Sequence, residues 1–140
     1  MEISTVRRRL AETIDRAKKR AAARRERGDQ ASRDFEVFLQ KIAVPLFKQV
    51  AGALKADGYA FTVFTPSGSV RLMSDRNADD FIELSLDTSE DPPGVMGQIS
   101  RTRGRRVIDA ERLVGAPEAL TEEDLLQFLL KELEAFVAGH

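Results

Sequence analysis

The side chains that most often carry catalysis are scarce in this sequence. It has no cysteine and a single histidine, His140, at its last position, where a backbone ordinarily frays. That removes disulfides, thiolate metal sites, a cysteine nucleophile, imidazole-based triads and the common zinc sites. No glycine-rich phosphate loop of standard spacing is present, and Gly94-Val95-Met96-Gly97 reads as a turn leading into a strand. Carboxylates are what remains. Asp79, Asp80 and Glu83 lie close together and would suit a Mg²⁺-dependent nuclease-like site, but the nearest lysines, Lys55 and Lys131, are remote in sequence. Strand alternation alone accounts for Glu83 as a solvated outer-face residue. Asp87, Glu90 and Asp91 offer oxygens for Ca²⁺, yet Pro92-Pro93 and the missing ligand spacing favour a solvated loop. We therefore expect no catalytic residue, no metal and no cofactor.

The basic side chains form two groups. Lys19, Arg20, Arg24 and Arg27 belong to an arginine-rich N-terminal stretch, and Arg101, Arg103, Arg105 and Arg106 to a short turn. Both are candidates for an anionic or nucleic-acid surface, because guanidiniums neutralise phosphates and an arginine hairpin tip fits a groove. No stacking aromatics accompany either group, as single-strand binders would need. A third set is apolar: Ile3, Val6, Leu10, Ile14, Ala17 and Ala21 keep the 3–4 spacing of one helix face. Large side chains fill its first four positions and alanines the rest. That stripe is narrow for a core helix, and so is a candidate association surface for another chain.

The elements that hold these residues follow from pattern. Ile3 to Arg27 reads as a helix of about 37 Å, with Gly28 just past its end at the place of a left-handed cap. A second helix, capped by Asp29 or Ser32, runs to about Ala56. Its stripe is Phe35, Phe38, Leu39, Ile42, Leu46, Val50 and Leu54, with Phe47 on the flank, and Pro45 is expected to kink or split it near Ala43-Val44. Tyr59–Thr65, Val70–Ser74, Asp80–Leu86 and Val95–Ser100 read as strands, and Arg106–Leu113 as a weaker fifth strand or an irregular segment. Short connections make them an antiparallel meander. Thr121-Glu122-Glu123-Asp124 opens a last helix whose leucines and phenylalanines cover more than half its circumference, so it wants burial on two sides.

The expectation is one α+β domain over residues 1–140: two N-terminal helices, a four- to five-stranded antiparallel meander, and a C-terminal helix on one face of the sheet. Residues 1–28 form a basic, partly protruding helix, and residues 29–140 a compact helix–sheet–helix body. At 140 residues and 42% hydrophobic, the chain is long enough for a real core. Eleven basic against six acidic residues up to Asp34 leave a basic front, and the remainder is acidic. Opposite ends of that kind attract an anionic partner or each other. No apolar run approaches a membrane span, and no long apolar stretch follows Arg7-Arg8-Arg9 as a signal peptide would require, so a cytoplasmic location is expected. The function expected is a non-catalytic protein–protein interaction module that self-associates through its N-terminal helix as a dimer, or pairs with a protein partner, without membrane contact. The acids of the last helix, Glu122, Glu123, Asp124, Glu132 and Glu134, are candidates to receive the basic helix. Alternatives are a nucleic-acid-binding accessory protein and a small-ligand domain with a pocket between sheet and helices.

Overall fold

A computed structural model describes residues 1–138. Helix α1 covers Ile3–Phe38, one wide turn covers Leu39–Ala43, and α2 covers Val44–Ala56, so a single rod passes through the expected boundary at Gly28. The correction has a simple cause. A glycine costs a helix interior about 1 kcal/mol, which flanking good formers outweigh, and the Arg27 guanidinium is anchored beside it. Asp29 and Ser32 therefore cap nothing and lie mid-helix.

Pro45 marks the expected split, since α2 restarts at Val44 after the wide turn, although the chain stays helical through it. It lacks an N–H and its ring would clash with the carbonyl four residues back. The π-helical turn at Leu39–Ala43 shifts the bonding there, and the proline falls in the first turn of α2, where it is tolerated. The wide turn also rotates the face presented to the core. Ala43 and Phe47 become fully buried, whereas Ile42, expected on the stripe, is only half-buried.

Five strands follow: β1 Phe61–Phe64, β2 Ser69–Ser74, β3 Phe81–Asp87, β4 Gly94–Arg103 and β5 Arg106–Gly115. They form an open antiparallel sheet in chain order, as the short connections require. The fifth segment is a full strand, and with β4 it makes the longest ladder, from Val95↔Gly115 to Arg103↔Arg106. Gly104 (φ 65°) stands first in the two-residue turn of that hairpin, where a side chain would be strained.

Helix α3 covers Glu122–Ala138. Its start is a reciprocal cap: the Asp124 N–H donates to Thr121 Oγ1 and the Thr121 N–H to Asp124 Oδ2, each at 3.1 Å. Alternation then sorts the sheet. Val70, Leu72, Ile82, Leu84, Val95 and Ile99 point to the helices and are buried with Phe35, Phe38, Phe47, Leu125, Leu129 and Phe136. The opposite face is open to solvent and mixed. Arg71 lies over the Phe81 ring at 4.1 Å and its Nε donates to Glu83 at 3.1 Å. By length and composition alone, the rod Ile3–Ala56 also contains a window apolar enough to cross a membrane.

Candidate association surface

Among the described residues, no other element packs on the first part of α1. From Met1 to Arg27 every residue but Thr5 is exposed, and the stripe shows Ile3 at 72%, Val6 at 47%, Leu10 at 56% and Ile14 at 46% exposure. Contact with the body begins at Arg24, whose Nη2 donates to the Ser89 carbonyl at 2.9 Å. One turn on, Arg27 forks onto Asp91, with Nε–Oδ1 at 3.0 Å and Nη2–Oδ2 at 2.6 Å. These two contacts fix the direction in which the rod leaves the body. The hydrogen bond and the neighbouring charge raise the Arg27 pKa. The Arg27 hydrogen bond lowers that of Asp91, and bonds from Ser89 lower that of Asp87.

Two of the eight basic residues proposed for an anion surface are thus spent on the β3–β4 loop. Lys19 is held by Asp15 at 3.1 Å, and Arg20 lies on the free part of the rod. At the far hairpin the structure gathers a different set. Arg101 and Arg103 line a recess of about 550 Å³ together with Arg76, Asn77 and the end of α3, while Arg105 and Arg106 lie outside it. No ion pair joins Arg76, Arg101 or Arg103 to a carboxylate among the described residues. Asn77 Nδ2 donates to Thr102 Oγ1 at 2.9 Å and the Thr102 N–H to Asp80 Oδ1 at 2.7 Å, tying the β2–β3 turn to β4. Sequence reading missed Arg76 because its partners are brought to it only by strand pairing.

The remaining candidates resolve simply. Of the acids proposed for metals, Glu83 is paired with Arg71 on the open sheet face, Asp80 accepts from the Thr102 N–H, Asp87 accepts from Ser89 and Asp91 is paired with Arg27. Glu132, proposed as a docking acid, is buried and bonded to Arg112 at 2.5 Å, and so cannot receive an outside partner. Glu122, Glu123, Asp124 and Glu134 remain exposed. His140 lies outside the described residues.

A second apolar surface lies between α2 and α3. The two helices run the same way across the sheet, since α2 leads into β1 at Phe61 while α3 starts beside Gly115 and ends with Phe136 edge-on to Phe61 at 6.1 Å. They diverge enough to leave a groove of about 470 Å³. Leu46, Val50, Ala53, Leu54 and Tyr59 form one wall; Leu126, Leu130, Leu133 and Val137 form the other. Leu130 is 55% exposed on that wall. The two-sided burial expected of α3 is therefore met on the sheet side, by Leu125, Leu129 and Phe136, and left open on the other. No protein-family model, curated protein or solved structure matches this chain.

Proposed function

We propose that the chain is a non-catalytic assembly module that self-associates through the free part of α1. The observation that carries this reading is the exposed stripe of Ile3, Val6, Leu10 and Ile14 on a rod that stands clear of its own body. Covering the part of these four side chains that is still exposed is worth about 1 kcal/mol each. A helix beyond its packed region gains little stability of its own, so a second surface gives this length of ordered apolar face a role. The residue types support a binding role over a chemical one, since Glu83 is paired with Arg71 and Asp80 accepts from the Thr102 backbone.

Size exclusion with light scattering and refractive-index detection tests the reading; with one Tyr and no Trp, ultraviolet absorbance is a poor mass detector. The full chain at tens of micromolar runs at twice its 15.6 kDa, and a chain starting at Arg24, which keeps both loop contacts, runs at the mass of one copy. A monomeric full chain overturns the proposal. The recess lined by Arg76, Arg101 and Arg103 supports a second reading, an anionic partner such as nucleic acid. That reading requires an absorbance excess at 260 nm in protein purified without nuclease, and its loss in high salt.

A further inference from the structure

We propose that the groove between α2 and α3 receives residues 3–14 of α1 from a second copy of this chain, and that the exchange is reciprocal. The inference rests on the self-association reading and names the surface that it uses. The two parts fit in length. The stripe from Ile3 to Ile14 and the groove wall from Leu46 to Asp57 each span eleven residue steps, about 16 Å of helix. The stripe is apolar and exposed along that length, and the groove is mainly apolar, with Ala53 and Leu130 exposed on its two walls.

A chain cannot fill its own groove. Ile3 and Leu46 sit on one unbroken rod, 43 residues apart, which sets them about 65 Å from each other along its axis. Neither Gly28 nor Pro45 supplies the reversal that folding back would need. The occupant must then come from another molecule, and charge selects which surfaces meet. Residues 3–23 carry seven basic side chains against Glu12 and Asp15, so two such segments side by side would set like charges together. Helix α3 carries five acids against Lys131; Glu132 is taken by Arg112, while the exposed Glu122 and Asp57 line the groove. A basic stripe entering an acid-flanked apolar groove has complementary fields, while stripe against stripe does not. Closure follows from symmetry. Antiparallel rods related by a twofold put each stripe at the other copy's groove, fill both sites and leave no open end for a third copy.

The absence of cysteine gives a clean test. Leu10→Cys is paired in turn with Gln49→Cys, Ala53→Cys or Asp57→Cys, three exposed groove positions about a turn apart. Each protein carries one cysteine, two are mixed, and a mild oxidant is added. The expected result is a disulfide between Leu10→Cys and at least one groove position, because only Cα atoms within about 7 Å can be bridged. Leu10→Cys oxidised alone stays unlinked. A Leu130→Glu variant, altered at an exposed wall residue, keeps the wild-type circular dichroism and dissociates at least tenfold more readily. If the wild type scatters as a dimer but Leu10→Cys links to itself, or to no groove position, the docking is wrong while self-association stands. If the wild type scatters as a monomer, the parent reading fails first.

Discussion

A forked guanidinium–carboxylate contact fixes direction more than it adds stability when both partners face water. Arg27 and Asp91 form such a contact, and with Arg24 on Ser89 it sets the angle at which the rod departs. The pair holds Asp91 below the ordinary carboxylate value of 3.8, with the Arg27 hydrogen bond as the main cause. A lowered carboxylate contributes above its unfolded value, and its contribution is lost as pH falls through the folded value. The tether should therefore persist at neutral and mildly acidic pH and release only below the usual aspartate range. In a carboxyl-detected NMR titration, Asp91 is expected to have a midpoint below that of a free aspartate, and Arg27→Ala to move it upward toward 3.8; an unchanged midpoint would contradict the pairing. The other consequential pair is unequal. Glu132 is buried while Arg112 is half-exposed, at 9% and 53% of their side-chain surfaces. Arg112→Ala leaves a buried acid without its partner and should cost about 1–3 kcal/mol in denaturant unfolding. Glu132→Gln leaves an arginine free to turn to water and should cost less. The reverse order would show that the arginine is the desolvated partner.

At the scale of the elements, α3 meets the sheet where a side chain is missing. A Cβ at Gly97 would come within 2.5 Å of the Phe128 ring tip, so the ring lies where only glycine leaves space. Gly97→Ala should push Phe128 off β4 and destabilise the fold by about 1–3 kcal/mol, with near-ultraviolet dichroism reporting the displaced ring. A neutral substitution would mean that the Phe128 ring turns aside at little cost and that this contact does not hold α3 on the sheet. None of this is visible in the pattern Val95-Met96-Gly97, although the strand itself is. Periodicity carried what depends on neighbours along the chain: the alternation of β3, the Thr121 cap and the apolar faces of the helices. It failed where a local preference was outvoted. Gly28 is a good terminator in isolation, but helix on both sides and an anchored Arg27 carry the rod through it. The wide turn before Pro45 inserts a rotation that a fixed 3.6-residue period cannot contain, which is why Phe47 rather than Ile42 is fully buried. The candidate site divides in the same way. The stripe on α1 lies along one helix and was legible; the groove is made by α2 and α3, far apart in sequence, and the Arg76 recess by strands that meet only in the sheet.

Over the whole molecule, the core and the exposed stripe occupy different ends of one rod. Every fully buried side chain of α1 and α2 lies at Ala31 or beyond, and none of the stripe is buried. Removing residues 1–23 should therefore leave the folded body intact, with the thermal midpoint of a dilute sample nearly unchanged. Association adds a term that depends on protein concentration, because a partner that binds only the folded chain stabilises it by mass action. Full-length protein should then show a midpoint that climbs by several degrees from about 1 to 100 µM, and protein starting at Arg24 a midpoint that does not. Salt separates the two components of the contact. The basic stripe and the acids beside the groove are screened beyond about 3 Å at 1 M salt, whereas apolar burial is not weakened, so the concentration-dependent shift should shrink in salt without vanishing. If the shift is abolished by salt alone, charge carries the association and the apolar groove does not. If the truncated protein shows the same climb as the full chain, the contact lies on the body, and the exposed rod has no part in it.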